Sequence, residues 1–349
     1  MTHLWVRSES RAHEQRVGLT PQGAAKLIAA GFEVTVEESK QRIIPIADYA
    51  RAGCTIAPEF SWVDAPSDAI IFGLKELPED GTPLRHRHIM FGHAYKGQHS
   101  GRILLDRFQA GGGTLYDLEY LTDPDGRRVA AFGYWAGYAG AAVSLMCWIA
   151  GQTGAMAGPV KAYPSANHML MALQQDLMAL GTDRPTALII GALGRVGSGA
   201  ADLCQAMGVA TTKWDMAETA SGGPFPEILA HDIFLNCILA RPGTPVFVPA
   251  SAKVAPRKLS VIGDIACDPD SDFSPIKVYD RTTTWDAPAL RVHDHPILDV
   301  TAIDNLPSML PAESSEDFAE QLFPYLAALD QIDQGVWGRA LEWFERAVG

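Results

Sequence analysis

Cationic residues are in short supply in this chain. Its 28 Lys and Arg face 41 Asp and Glu, for a net charge of -13, and no basic run stands out. Nucleic-acid binding, which needs clustered Lys and Arg against phosphates, is therefore not expected. Cysteine is sparse too: the five (Cys54, Cys147, Cys204, Cys237, Cys267) are scattered and odd in number, without a CxxC or a Cys/His cluster. Neither a disulfide framework nor a zinc site is indicated. The opening MTHLWVRSE has no apolar stretch of the kind a secretory signal needs, so a cytoplasmic protein is expected. Charged residues at 20% and apolar ones at 47% form an ordinary globular mix, and 349 residues suffice for two domains with buried cores.

One segment lacks charge altogether. From Val129 to Val160 there is no Asp, Glu, Lys or Arg, and Arg127 and Arg128 stand just before it. Length alone would allow a bilayer span. Gly133, Gly137, Gly140, Gly151, Gly154 and Gly158 interrupt it, however, and Ala outnumbers Leu and Ile. Small residues at three- and four-residue spacing suit a helix packed closely inside a soluble domain, so a buried central helix and no membrane partner are expected.

The remainder alternates short apolar runs with helical patterns. Leu4–Val6, Glu33–Val36, Ala69–Leu74 and Ile89–Phe91 read as strands. Thr20 caps a helix that has Pro21 at its first position and Gly31 beyond its end. A second helix is expected around Arg102–Ala110. The same grammar restarts with a helix over Ser165–Gly181 and strands at Thr186–Ile190, Thr211–Trp214, Asp232–Asn236 and Leu259–Gly263. Helical spacing without strands fills Glu313–Val348. Alternation of this kind implies α/β architecture with mostly parallel sheets.

The strongest motif is Gly191-Ala-Leu-Gly194-Arg-Val-Gly197-Ser-Gly199, which follows a strand and opens a helix. That is the context of a dinucleotide loop, where glycines let backbone N–H groups approach a pyrophosphate. The spacing is GxxGxxG rather than GxGxxG. Asp215 stands 18 residues after Gly197, at the end of the next strand. A carboxylate there binds ribose hydroxyls and would repel the 2′-phosphate of NADP, so NAD is the expected cofactor.

Two titratable residues fall just beyond strand ends, where open α/β sheets place ligands. Lys75 follows Ala69–Leu74, and His93 follows Ile89–Phe91 by one glycine. A partly desolvated Lys can act as a base, and His exchanges protons near neutrality. Singly, each is more often a solvated or structural side chain; their paired placement makes them candidates. Arg16, in the loop after the first strand, and Arg127-Arg128 could bind carboxylates, although exposed arginines are usually only solvated.

Several longer stretches carry a resemblance. They are E-Q-R at Glu14–Arg16, GLKELP at Gly73–Pro78, GHAYKGQ at Gly92–Gln98, TLYDLEYL at Thr114–Leu121, GRRVAAFG at Gly126–Gly133, GALGRVGSGA, KWDMAETASGGPF, and DNLPSMLPAESSEDF at Asp304–Phe318. In this order, and over nearly the whole chain, they resemble the NAD-dependent, L-lysine-forming saccharopine dehydrogenase family, relatives of alanine dehydrogenase. The resemblance implies two Rossmann-like domains with an active-site cleft between them. It also implies reversible conversion of saccharopine, NAD and water to lysine, 2-oxoglutarate and NADH. It makes Lys75 the base that takes the secondary-amine proton and His93 the acid–base group for attack of water on the imine. Arg16, Lys75, Gln98, Arg128 and Asp268 would contact substrate, with Phe132 lining the pocket, while Glu14 and Glu119 tune the two bases. Arg127, Gly194, Arg195, Asp215, Thr219, Ile265, Ile303, Asp304, Asn305 and Leu306 would contact NAD.

Against the family pattern, Val196 replaces a cysteine, which removes a disulfide to Cys237. Leu239 replaces a tyrosine at the cofactor, and Ala266-Cys267-Asp268 replaces Ser-Ala-Asp at the amino-acid end of the substrate. A different amino-acid substrate, an alanine-dehydrogenase-like deaminase, and a non-catalytic NAD sensor remain open, the last disfavoured by the presence of both Lys75 and His93. The expected division is 1–131 plus 316–349 for substrate and catalysis and 132–315 for NAD, with a monomer mildly favoured by the resemblance.

Overall fold

The computed structural model describes residues 1–97, 99–269 and 271–349. The chain folds as two compact units, Met1–Ala131 with Pro311–Gly349, and Phe132–Leu310. The first unit regains the chain at Pro311, a few residues before the expected boundary, because Pro311 opens the first C-terminal helix.

The first unit begins with β1 (His3–Val6), α1 (Pro21–Ala29), β2 (Glu33–Glu37), α2 (Ile46–Arg51), β3 (Thr55–Ala57), β4 (Ile70–Phe72), β5 (Arg87–Met90), α3 (His99–Gly111) and β6 (Thr114–Asp117). The Thr20 hydroxyl accepts the Gly23 N–H at 3.2 Å, which caps α1 as the sequence implied. The six strands lie in the order β3-β2-β1-β4-β5-β6, all parallel. Strand order reverses between β1 and β4, so the loops leaving their carboxyl ends diverge and open a crevice there. The strands are short, and the central ones, β4 and β5 above all, are buried on both faces, as parallel sheets require.

The second unit contains α4 (Gly133–Gly151), α5 (Ala166–Leu180), β7 (Thr186–Ile190), α6 (Arg195–Ala206), β8 (Ala210–Trp214), α7 (Met216–Thr219), α8 (Pro226–Leu229), β9 (Ile233–Asn236), β10 (Val261–Asp264), β11 (Leu290–Asp294) and β12 (Ile297–Thr301). Its sheet runs β11-β12-β10-β9-β7-β8, parallel except for the β11–β12 pair. That pair was not expected from sequence, since LRVHD at the sheet edge is only partly buried and lacks an apolar run. The chain then re-enters the first unit through α9 (Pro311–Leu326) and α10 (Gly335–Val348). Phe344 of α10 meets Phe108 of α3 edge-on at 5.7 Å, and Trp337 meets Tyr116 of β6 at 6.1 Å.

The uncharged stretch becomes α4, whose middle from Gly137 to Cys147 is buried almost throughout. Among the described residues no helix is long and apolar enough to cross a membrane. Glycine explains the packing. A Cβ on Gly137 would overlap the Val196 carbonyl of α6, and one on Gly199 would overlap the Tyr134 carbonyl of α4. The two helix backbones thus touch through their glycines, and the apolar cluster around Ala139, Val143, Ala200 and Leu203 closes over the contact.

Candidate active site

In the first unit the candidate residues gather at the carboxyl ends of β1, β4, β5 and β6. Glu14 and Arg16 lie in the loop after β1, buried and joined at two points, Nε to Oε1 at 2.8 Å and a terminal nitrogen to Oε2 at 2.6 Å. Burial pushes the Glu14 carboxyl up, but Arg16 and the Lys75 ammonium more than offset this and hold it below its ordinary range. Glu14, Arg16 and Lys75 therefore form one charged group at the β1/β4 switch point.

Lys75 is buried just past β4. Its N–H donates to Glu9 at 3.1 Å, and its carbonyl accepts from Arg7. Neither Arg7 nor Glu9 was singled out from sequence. Two opposite charges two residues apart straight after a buried strand were the available signal.

His93 leaves the end of β5 with a left-handed backbone (φ 49°), and its ring stacks on Phe91 at 6.3 Å. Nδ1 faces Oε2 of Glu119 at 3.4 Å. The other oxygen of Glu119 takes Lys96 at 2.8 Å and Arg128 at 3.2 Å. His93, Lys96 and Arg128 together hold the Glu119 carboxyl down to about 2, against the upward push of burial. Glu119 is thus an anion at every working pH. Arg128, expected only as a carboxylate binder, also bears on the Glu119–His93 pair. It stands in a short hairpin in which Thr122 bridges Arg128; the Asp123 N–H donates to the Arg127 carbonyl, and the Arg127 N–H donates to the Asp123 carboxylate, both at 2.9 Å. Arg127 is exposed there.

Two further acids were missed. Asp117 at the end of β6 is fully buried, and its Oδ1 accepts the Glu119 N–H at 2.9 Å. Burial pushes its carboxyl up to about 6 despite that N–H and the nearby His93. Among the described residues its Oδ2 has no hydrogen-bond partner, and the same holds for Oε2 of Glu76, whose other oxygen meets Arg11 at 3.3 Å. Glu76 and His93 border a cavity of about 250 Å³ together with Leu77, Ser100 and Leu104. Glu76 was within sight in GLKELP; Asp117 reads in sequence as an ordinary strand-end acid. Gln98 lies outside the described residues.

In the second unit the glycine loop joins β7 to α6. Gly191 has φ 86°, and a Cβ on Gly197 would overlap the Gly191 carbonyl, so the turn needs both glycines. Gly194 caps α6 without any side-chain hydrogen bond, so the loop leads straight into a helix N-terminus, the kind of element that favours an anion. Asp215 follows β8, and its carboxylate accepts the N–H groups of Leu193 at 3.0 Å and Met216 at 2.9 Å. Thr219 donates its hydroxyl to the Asp215 carbonyl at 3.0 Å. The loop, the uncapped helix start and the adjacent carboxylate fit a dinucleotide. Leu193 and Met216, 84% and 82% exposed beside them, offer an apolar face that the sequence did not advertise.

Around the end of β10, Ile265 packs against Gly140, and Cys267 (φ 55°) donates its thiol to the Ala302 carbonyl at 3.0 Å; Asp268 is exposed. Ile303 and Leu306 are buried, Asp304 is exposed, and Asn305 takes a left-handed turn (φ 69°). Arg195 is exposed at the first turn of α6, and Phe132 caps α4. Cys237 carries a free thiol.

Two six-stranded, mostly parallel sheets give the chain an α/β architecture of the alanine dehydrogenase fold. An L-alanine dehydrogenase structure superposes with a TM-score of 0.68 at 20% identity, over 99% of this chain and 93% of that one. Residues 5–139 match the domain described as Alanine dehydrogenase/PNT, N-terminal domain. Sequence similarity is narrower in its reach. The Saccharopine dehydrogenase [NAD(+), L-lysine-forming] of Yarrowia lipolytica is 46% identical, over 99% of this chain and 97% of the relative. That of Schizosaccharomyces pombe is 44% identical, over 99% and 98%. The chain belongs to the family of NAD-dependent, L-lysine-forming saccharopine dehydrogenases.

Proposed function

We propose that this chain oxidises saccharopine, with NAD and water, to L-lysine and 2-oxoglutarate, and runs the reverse reaction under reducing supply. The observation that carries the reading is the placement of Lys75 and His93 at the ends of neighbouring parallel strands, each beside a carboxylate, in a chain whose full-length relatives carry that name.

NAD supplies the hydride acceptor. Gly194 and the start of α6 would hold its pyrophosphate, with Arg195 alongside, and Asp215 its ribose hydroxyls, with Thr219 behind. Leu193 and Met216 would border the adenine. Ile265 and Ile303–Leu306 would line the rest of the dinucleotide, and Arg127 is assigned to it as well.

On the substrate, Lys75 in its neutral amine form takes the proton from the secondary amine as the carbon next to that nitrogen is oxidised to the imine level. His93 then takes a proton from the attacking water, and the resulting carbinolamine collapses to ketone and amine. Lysine and 2-oxoglutarate leave, and one proton is released for each turnover. Glu119, ionised throughout, orients the His93 ring, and Lys96 and Arg128 hold Glu119 in turn. Arg16, Arg128 and Gln98 are assigned to the substrate carboxylates, with Phe132 and Asp268 toward its other parts.

The test follows NADH absorbance with lysine plus 2-oxoglutarate and with pyruvate plus ammonia. A far higher kcat/KM for the first pair is expected. The opposite ranking assigns the chain to alanine-type deamination. Activity with 2-oxoglutarate and another amino acid, but not lysine, traces to the altered Ala266–Asp268 segment.

A further inference from the structure

The charges behind Lys75 take no part in the chemistry above. Arg7 and Glu9 follow β1, both buried, with NH1 and Oε2 3.2 Å apart. Glu9 receives the main-chain N–H of Leu74 on Oε1 at 2.6 Å and that of Lys75 on Oε2 at 3.1 Å. Arg7 donates to the Lys75 carbonyl. The two members of one ion pair therefore hold the two main-chain polar groups of a single residue.

Gly73 completes the arrangement. A Cβ there would fall on Nε and Cζ of Arg7, so only glycine lets the guanidinium lie against this strand end. Its neighbours tie the same segment to the strand that leads to His93, through Gly73 N–H to the Ile89 carbonyl at 3.0 Å and Phe91 N–H to the Leu74 carbonyl at 2.9 Å. Burying two charges is a costly way to finish a strand, since an apolar pair of similar volume is often as stable or more so. What the charged pair adds is geometry. It fixes both peptide groups flanking the Lys75 Cα, and hence the direction in which the side chain leaves the sheet.

We propose that Arg7 and Glu9 are positioning residues for Lys75, clamping its backbone at the β1/β4 switch point so that its amine is presented in one orientation. The proposal rests on Lys75 being the base. A displacement of about 1 Å at a reacting group costs on the order of a hundredfold in rate, so loosening the clamp should be visible in kcat.

The experiment is a double-mutant cycle on saccharopine oxidation, with NAD affinity read separately by fluorescence. Glu9→Gln and Gly73→Ala are each expected to lower kcat by about tenfold to a hundredfold, with NAD affinity within about twofold. In a Lys75→Met background the same changes should cost less than about twofold, because no amine is left to position. The limb of the kcat–pH profile that is lost in Lys75→Met should shift in Glu9→Gln. Equal losses in both backgrounds, or undiminished kcat in both single variants, overturn the proposal. A Lys75→Met enzyme as fast as wild type overturns the assignment of the base, and the clamp with it. If Glu9→Gln does not fold, Arg7→Met/Glu9→Leu removes both charges together and enters the same cycle.

Discussion

Nδ1 of His93 lies 3.4 Å from Oε2 of Glu119, and Glu119 is in turn gripped by Lys96 and Arg128 through its other oxygen. The ring is therefore oriented by a carboxylate that is itself anchored, while its opposite nitrogen is turned away from that contact. Lys75 has an equivalent neighbourhood in Glu14 and Arg16.

Removing either proposed base should separate chemistry from binding. General acid–base groups contribute about 10²–10⁴-fold to rate. Lys75→Met and His93→Gln are each expected to lose kcat in that range while NAD affinity changes little. Stopped-flow and fluorescence titration decide it, and normal turnover in both variants would move the active site elsewhere.

Asp117 makes stability depend on pH in a definite direction. Burial raises its folded pKa from 3.8 to about 6, so the folded state binds its proton more tightly than the unfolded chain does. Below about pH 3.8 both states are protonated and the stability is fully present. Between there and about pH 6 the unfolded chain gives up its proton while the folded one keeps it, so stability falls as pH rises. The loss is about 1.4 kcal/mol for each tenfold difference in proton affinity between the two states. Asp117→Asn keeps an oxygen for the Glu119 N–H. Relative to wild type it should gain about 2–3 kcal/mol between about pH 4 and about pH 7. Urea unfolding at the two pH values measures this, and a constant difference would refute the assignment.

Asp215 should set cofactor choice. Its carboxylate already bonds the N–H groups of Leu193 and Met216, so its position does not depend on bound ribose. NAD should be strongly preferred over NADP, and Asp215→Ala should narrow the kcat/KM ratio by about tenfold or more, the scale of one hydrogen bond to a charged group. An unchanged ratio would mean that another residue discriminates.

The helix crossing in the second unit should tolerate no side chain. Gly199→Ala drives a Cβ into the Tyr134 carbonyl, a backbone atom that cannot rotate away. Overpacking of this kind costs about 1–3 kcal/mol or more. Calorimetry should show a lower Tm for the unit holding α4 and α6, whereas Gly158→Ala, in open space, should leave it in place.

Sequence alone settled what is local. A strand announces itself by its apolar run, a helix start by Thr20-Pro21, and a tight turn from strand to helix by its glycines. Because a residue that ends a strand is legible without knowing the neighbouring strand, Lys75, His93 and Asp215 could be picked out. Only the tertiary structure decided what depends on chain segments far apart. The strand order that puts β1 beside β4 brings Arg7 and Glu9 onto Lys75. The pairing of β5 with β6 brings Glu119 to His93 and buries Asp117. The glycines of α4 find their use only against α6. Such contacts are set by burial and sheet register, which couple residues tens of positions apart, and no local pattern of side chains encodes them.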